Sequence, residues 1–137
     1  MLTQLKQKAQ AIRVVGGKGA VSDSIYLGFA KYFDTARISG SSRYETNTAV
    51  NAYVTTSSGT APTTVWVATG KNFPDALSSA VPAGNSEHRL VLSDGTCIPK
   101  PVVSEWITGS SATVKEVNLV GGSGVLGESV AALSECQ

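Results

Sequence analysis

Charged residues are scarce in this chain of 137 residues. Aspartate, glutamate, lysine and arginine make up 15% of it, against about a quarter in an average soluble domain. The formal net charge is +1, and no run of lysine and arginine is long enough to form a basic patch. Double-stranded nucleic acid is therefore not an expected partner, because binding it depends on neutralising many phosphates.

The chain also lacks the sequence features of membrane spans and of export signals. No apolar stretch approaches the roughly 20 residues that a membrane span needs, so membrane insertion is not expected. The first ten residues, MLTQLKQKAQ, do not contain the apolar core of a signal peptide. We interpret Met1 as an added start and expect the natural protein to begin further upstream.

Residue types that support catalysis or metal binding are few. His88, the only histidine, stands beside Glu87 and Arg89 and is interpreted as a surface or edge residue rather than a base. No HExxH, CxxC or nucleophile-elbow motif and no aspartate cluster is present, so we expect no enzyme activity, metal or cofactor. A hydrolase on this scaffold is a less favoured alternative, because a Ser–His–Asp triad has no fixed sequence signature.

Two cysteines, Cys97 and Cys136, lie 39 positions apart, a spacing that fits no zinc or redox motif. In an exported protein they would pair, and closing this loop would stabilise the fold by about 3–4 kcal/mol in the chain-entropy model. The alternative is two unrelated buried thiols. We predict the disulfide, because one cysteine lies in a turn and the other near the end of the sequence, where a tether is useful.

An internal repeat is the first strong signal along the chain. The segment VVGGKGAVSDSI at 14–25 recurs 105 positions later as LVGGSGVLGESV at 119–130. The chain therefore spans slightly more than one period of a tandem array. We predict one compact domain in which residues 1–33 are the C-terminal part of a preceding repeat, and residues 34–137 form one nearly complete repeat.

Short β-branched runs alternate with helical patterns between the two copies. Strands are predicted at 12–15, 37–39, 64–68, 89–92 and 117–120, each followed by a helical pattern, and a further helix is predicted at 2–9. Such alternation with apolar strands is typical of a parallel sheet covered on both faces. The predicted fold class is α/β: a three-layer, mostly parallel sheet of Rossmann-like or toprim-like type with helices on both faces.

Glycine-rich turns follow the first and last predicted strands. The pattern Gly122-x-Gly124-x-x-Gly127 formally matches the dinucleotide fingerprint. The earlier copy has Ser22 in place of the third glycine, and no further strand follows to carry the ribose-binding acid, so nucleotide binding is the less favoured interpretation. We interpret the shared glycine pairs as tight turns that need positive φ and close backbone approach. These pairs are Gly16-Gly17 and Gly121-Gly122.

Polar and cationic residues follow the strands, at the edge where a parallel sheet holds its ligand crevice. Two predicted helix N-termini, at Ser42 and Asn72, bring unpaired N–H groups there, and Arg43 and Lys71 add positive charge. Together these groups could hold an anionic oligomer through phosphate or carboxylate groups.

An equally weighted alternative assigns the arginines a structural role. In this interpretation Arg37 and Arg43 pair internally with Glu45 or Asp75, which also cap helices. The same residues could serve both purposes.

The order of motifs along the chain resembles the cell wall-binding repeat 2 family. RISGSSRYET at 37–46 matches the family stretch R-I-x-G-x-x-R-Y-E-T, and ATGKNFPDALS at 68–78 matches A-T-G-x-x-F-P-D-A-L-S. An aliphatic strand at 90–92 follows, and V-G-G-x-G-A-V-S-type ends occur at 15–22 and, more loosely, at 120–127. The resemblance covers nearly the whole chain.

The resemblance implies a non-catalytic anchor that holds a secreted bacterial surface protein to anionic wall polymers, teichoic acid-like or secondary wall polysaccharides. It implies an extracellular, wall-associated location, packing against neighbouring repeats and assembly in threes, as a trimer. The residues predicted to bind polymer are Arg37, Ser41, Ser42, Arg43, Lys71, Asn72, Leu90, Val91 and Leu92. The motif residues predicted to be structural are Tyr44, Glu45, Thr46, Phe73, Asp75 and the four paired glycines.

A purely structural role for the motifs is the alternative. R-Y-E-T and F-P-D-A-L would then cap helices and close the fold, while the repeats act as a spacer or an oligomerisation unit. Polymer contacts would lie elsewhere, for instance in grooves between modules. The family's aliphatic strand often reads P-I-L-L, and His88-Arg89 stands here in place of its start.

Overall fold

The computed structural model describes residues 9–137, and all of their side chains except that of Val81. Parallel strands and helices alternate through this part of the chain, which confirms the α/β class. The elements are β1 (Ala11–Val15), α1 (Asp23–Ala30), β2 (Asp34–Ile38), α2 (Arg43–Ser58), β3 (Thr64–Thr69), α3 (Pro74–Ala83), β4 (His88–Ser93), a π-helical segment (Val102–Ile107), β5 (Glu116–Val120) and α4 (Glu128–Ala131). The helix predicted at 2–9 falls almost wholly outside the described residues.

The strands are divided between two parallel sheets, where the sequence had suggested one. β1 and β2 form the first sheet, with Ala11 opposite Asp34 and Val15 opposite Ile38. The second sheet has the order β4-β3-β5. β2 therefore pairs with a strand that precedes it in the chain instead of joining the sheet that follows.

The hydrophobic core lies on the three-stranded sheet, with β3 at its centre. The core cluster consists of Val65, Val67, Val91, Ile98, Val102, Val103, Leu126 and Val130. Burying each of these aliphatic side chains stabilises the fold by about 1.5–3 kcal/mol. The segment from β1 to β2 contributes only Val14 and Phe33 to the buried hydrophobic residues of the described part. No helix within residues 9–137 is both long and apolar enough to cross a membrane.

Asparagine side chains from α2 close the outer edge of β4. The Asn47 side-chain amide donates to the Leu90 carbonyl at 3.0 Å, and its Oδ1 accepts from the Leu92 amide at 3.0 Å. The buried Asn51 donates to the same Leu90 carbonyl at 2.9 Å. Asn47 thus substitutes for the peptide group of a neighbouring strand, and this edge cannot accept one.

A disulfide joins Cys97 to Cys136, with their Cα atoms 5.0 Å apart, as predicted. Backbone hydrogen bonds run beside it: the Cys136 amide donates to the Ile98 carbonyl at 2.9 Å, and the Ile98 amide to the Ser134 carbonyl at 2.8 Å. The last residues of the chain are therefore fixed against the loop that follows β4.

Candidate functional site

The loops that follow β2, β3, β4 and β5 meet at one edge of the molecule, as predicted. We call this edge the rim and define it as residues 39–43, 70–73, 94–97 and 121–127. Arg43 Nη1 donates to the Gly70 carbonyl at 2.6 Å, and the Gly70 amide donates to the Ser93 carbonyl at 2.7 Å. The Gly127 amide donates to the Gly95 carbonyl at 2.9 Å. Each loop of the rim is thus held by its neighbour.

The first turn of α2 is closed by its own side chains. Ser42 Oγ accepts from the Glu45 amide at 3.2 Å, and Glu45 Oε2 accepts from the Ser41 amide at 2.9 Å. This is the predicted capping box, and the hydrogen bonds that Glu45 accepts from Ser41 lower the pKa of its carboxyl. The Gly40 amide donates to Thr46 Oγ1 at 3.0 Å. The expected supply of free N–H groups is therefore reduced, because three amides of this loop and turn already have acceptors.

Arg43 lies on the exposed side of the rim and also positions the loop after β3. Its guanidinium is bound to the Gly70 carbonyl, and the ring of Tyr44 packs against Gly70 from the same turn of α2. A Cβ atom at Gly70 would lie 2.5 Å from Tyr44 Cε1, so only glycine fits there. The alternative pairing of Arg43 with Glu45 or Asp75 was wrong, because its acceptor is a backbone carbonyl.

Lys71 is exposed and faces the loop after β4. Asp94 Oδ1 accepts from the Thr96 amide at 2.8 Å and from Thr96 Oγ1 at 2.7 Å. These bonds, together with the positive charge of Lys71, lower the pKa of the Asp94 carboxyl. Within residues 9–137, neither Arg43 nor Lys71 forms a salt bridge.

Arg37 is placed differently from the other predicted cationic contacts. Its guanidinium donates to the carbonyls of Gly16 (2.7 Å) and Val21 (2.9 Å) and to Asp23 Oδ1 (3.3 Å). It also lies over the Tyr26 ring, 5.1 Å from its centroid, and the side chain is only 16% exposed. The prediction that Arg37 contacts polymer is corrected: its donors hold the turn after β1 against β2.

The aliphatic strand predicted to contact polymer is β4. Val91 is 0% exposed and belongs to the core, so its predicted contact with polymer is also corrected. Leu90 is half-buried, and its backbone is covered by Asn47 and Asn51. Only Leu92 of the three reaches an open groove. The aliphatic strand therefore acts mainly through packing.

Two open grooves lie on either side of the loop between β2 and α2. The first has a volume of about 700 Å³ and is lined by Gly16, Gly17, Ser41, Ser42 and Arg43 among others. The second, of about 650 Å³, runs between α2 and the disulfide and is lined by Tyr44, Thr48, Leu92, Asp94 and Lys100 among others. Predicted contact residues thus line the first groove, whereas the second was not anticipated.

The structural motif residues after β3 divide into two groups. Phe73, which was predicted to be structural, is 74% exposed, and Leu77 beside it is 66% exposed. Asp75 is half-buried and lies against Gly121, where an added Cβ would be 3.1 Å from Asp75 Oδ2. Asn72, predicted to bind polymer, is exposed beside Phe73 in a shallow concavity. This end of α3 is therefore a partly apolar surface.

Only the first glycine of each pair meets the predicted backbone requirement. Gly16 has φ +117° and Gly121 has φ +131°, values that residues with side chains rarely adopt. Gly17 and Gly122 do not have positive φ, and an added Cβ would meet nothing within 4 Å. The matching conformations show that the two turns are structural copies as well as sequence copies.

Two residues that shape the site, Asn47 and Asp94, are not among the residues predicted to bind polymer or to be structural. The signal for the first was a polar residue on the inward side of α2, repeated four positions later at Asn51. For the second it was the Asp-Gly-Thr turn after an apolar strand, since aspartate commonly accepts from the amide two residues on.

Comparison with known families decides what kind of module carries this rim. The family model described as Cell wall binding domain 2 (CWB2) matches residues 37–131. The chain belongs to this family.

The chain is similar to parts of three longer proteins. It is 34% identical over 82 residues to the N-acetylmuramoyl-L-alanine amidase LytC of Bacillus subtilis (strain 168), a match that covers 60% of this chain and 15% of the amidase. The fold is shared with two solved structures from Clostridium difficile. Cwp6 gives a TM-score of 0.77 at 18% identity, and covers 96% of this chain and 21% of that one. Cwp8 gives 0.66 at 22% identity, and covers 88% and 19%.

The family assignment establishes the general function. The chain is a cell wall-binding module of α/β fold and is associated with the cell wall. It spans about a fifth or less of the length of the relatives described above.

Proposed function

We propose that this cell wall-binding module attaches a secreted surface protein to anionic polymers of the wall, and that Arg43 and Lys71 provide the cationic contacts. The observation that carries the proposal is their shared position: Arg43 is bound to the carbonyl of Gly70, the residue before Lys71. Both side chains are exposed on the rim, and Arg43 borders the first groove. Neither cation forms a salt bridge among the described residues, although Lys71 lies near Asp94, and Arg43 in particular is therefore available to an external anion.

The guanidinium of Arg43 is suited to this role because one hydrogen bond fixes its position and leaves its other N–H donors available. Its bond to Gly70 engages one of five N–H donors. The others can form charge-assisted hydrogen bonds with a phosphate or carboxylate oxygen. The hydroxyls of Ser41 and Ser42 lie in the same groove and extend the polar lining.

The glycines of the first groove make room for a chain-like ligand. Gly17 and Gly19 line it, and an added Cβ at either would meet open space. A bulky polymer can therefore pass close to the backbone there. Teichoic acid-like polymers and secondary wall polysaccharides both fit this chemistry, since they repeat an anionic group along a flexible chain.

We assign residues 1–33 to a preceding repeat and residues 34–137 to one nearly complete repeat. Arg37 supports this division, because it is the side chain through which β2 holds the turn of the earlier copy. We further propose that hydrolysis, where a parent protein performs it, belongs to another domain, and that repeats assemble in threes. The exposed Phe73 and Leu77 favour packing between repeats.

Sedimentation with isolated bacterial walls tests the polymer proposal. Arg43→Gln and Lys71→Gln should each weaken retention about two- to fivefold at low salt, because each removes one exposed charge contact. The salt dependence of the double variant should be shallower than that of the wild type. Soluble teichoic acid should release the wild-type module.

Lys115→Gln is the matched control. Lys115 is also exposed but precedes β5, at the opposite end of the sheet from the rim. Retention that is unchanged in both rim variants, or reduced equally in the control, would contradict the polymer proposal and favour a purely structural repeat.

A further inference from the structure

The first and last strands of the chain are copies of each other with different neighbours. The offset of 105 residues aligns Ala11 with Glu116 and Val15 with Val120, so each residue of β1 has an equivalent residue in β5. Among the described strands, β1 pairs with β2 alone, whereas β5 pairs with β3 alone. Each copy therefore has a neighbour on the side where the other has none.

The exposure of equivalent side chains also differs between the two strands. Val14 in β1 is 7% exposed, whereas its counterpart Leu119 in β5 is 39% exposed. The reverse holds one residue further on, where Val15 is 50% exposed and Val120 is half-buried. An apolar residue that is covered in the β1–β2 unit is thus left uncovered in β5.

The backbone of β5 presents unused hydrogen-bonding groups at its outer edge. In β1 the turn residue Gly16 donates its amide to Ile38 of β2, and the equivalent residue after β5 is Gly121. Amide directions alternate along a strand, so the amides of Val117 and Leu119 point the same way as that of Gly121. The Glu116 amide donates to the Thr63 carbonyl at 3.3 Å, on the β3 side, which agrees with this alternation.

The opposite edge of the same sheet, formed by β4, is closed. The outer edge of β5 is therefore the edge of this sheet at which a further strand could pair. Asn47 and Asn51 occupy the backbone groups of β4 that a further strand would need. Within residues 9–137, no hydrogen bond to the outer edge of β5 is present beyond the contact of Asn118 with Glu116, which joins two side chains of β5 itself. The sheet can therefore grow on one side only.

We propose that the outer edge of β5 is a docking edge for the β2 strand of a second copy of this repeat. The added strand would lie parallel, with Glu116 opposite Asp34 of the second copy and Val120 opposite its Ile38, as β1 lies on β2 within one chain. The sheet would then have the order β4-β3-β5-β2. Within a single chain β1 holds β2 at a high effective concentration, so the edge is used only where β2 lacks its own β1.

Val14→Pro tests the proposal in the full-length chain. Because the Val14 amide points towards β2, proline removes a ladder bond and releases β2. We expect this variant to self-associate reversibly in sedimentation velocity experiments, while the wild type does not. Adding Leu119→Pro should abolish the association, because that amide points outwards from β5 and its loss leaves the pairing with β3 intact.

The charge pair at the edge supplies a further comparison. Glu116 would face Asp34 of the second copy, where β1 has Ala11, and carboxylates directly opposite each other weaken strand pairing. Glu116→Ala in the Val14→Pro background should therefore tighten association by about two- to fivefold. A Val14→Pro variant that stays monomeric, or that associates equally with and without Leu119→Pro, would overturn the proposal.

A tandem chain gives a test that does not depend on releasing β1. Gln137 lies 105 residues after Tyr32, so residues 33–137 placed directly after Gln137 continue the period and supply a β2 without its own β1. We expect the amides of Val117, Leu119 and Gly121 in the first unit to exchange hydrogen about tenfold more slowly than in the single chain. Unchanged exchange at these amides would show that no strand docks there. Wall retention is not part of either test, so the outcome is separate from that of the polymer proposal.

Discussion

At the residue scale, the arginines of this module show how little a residue type reveals about its role. Arg37 and Arg89 are covered and bind backbone carbonyls, whereas Arg43 remains exposed on the rim. Arg89 is 3% exposed and donates to the carbonyls of Thr60, Ser86 and His88, each at 2.8 Å. Thr60 follows the end of α2, whereas Ser86 and His88 lie just before and at the start of β4, so the guanidinium links the end of α2 to the start of β4. Burial lowers the pKa of Arg89, and hydrogen bonds to three carbonyls replace the water that its charge has lost.

Replacing Arg89 with methionine should lower the free energy of unfolding by about 3 kcal/mol. The side chain keeps its length, but three partly buried carbonyls lose their donor, and an unpaired group costs up to about 1–3 kcal/mol when it is fully buried. Urea denaturation followed by circular dichroism measures the change. Arg13→Met is the matched control and should cost less than about 1 kcal/mol, because its ion pair with Asp34 lies at the surface. Equal losses in the two variants would contradict the role given to Arg89.

At the scale of elements, α2 does more than cover a sheet. It begins with the capping box at Ser42, presents Arg43 to the rim, and closes β4 through Asn47. The capping box was predictable, because it depends on residues three apart in the sequence. The contact between Asn47 and β4 was not, because it joins residues more than 40 positions apart and depends on how the helix docks.

Asn47→Ala should destabilise the module by about 2–3 kcal/mol and make it prone to aggregation. The substitution leaves the Leu92 amide without its acceptor and exposes a strand edge that other chains can pair with. Thermal unfolding and light scattering on the same samples measure both effects. Asn72→Ala removes an exposed asparagine and serves as the control, with little expected change in either. Unaltered stability in the Asn47 variant would show that water replaces the lost bonds at that edge.

For the whole molecule, the sequence predicted the strands, the class and the disulfide, because each depends on local pattern or on chemistry. It did not predict the division into two sheets. Which strands pair depends on contacts between residues distant in the sequence. The sequence pattern did not show that β1 and β2 pair with each other and stay apart from the other three strands. The exposure of Phe73 was not predicted for a similar reason. Whether this aromatic side chain is buried depends on how α3 packs, which the sequence does not show. At the rim, loop convergence was predictable from parallel topology. An internal role for Arg37 was one of two equally weighted alternatives, but its partners were predicted as Glu45 or Asp75 and are Gly16, Val21 and Asp23.

Removing the disulfide by a Cys97→Ser, Cys136→Ser double substitution should lower the free energy of unfolding by about 3–4 kcal/mol, the loop-closure term for this separation. Because Cys136 also lines the second groove, the same change should loosen that groove. Equilibrium denaturation of the wild type with and without reductant measures the first effect, and reductant should have no effect on the double variant. A wild type that is equally stable under both conditions would contradict a stabilising role for the bond.

The hydrogen bonds of Arg37 to the turn that follows β1 affect how rigid a longer array of repeats would be. If residues 1–33 belong to an earlier repeat, this guanidinium fastens one unit to the next through two carbonyls and a carboxylate. Successive units would then keep a fixed orientation relative to one another and would not rotate freely about a flexible linker.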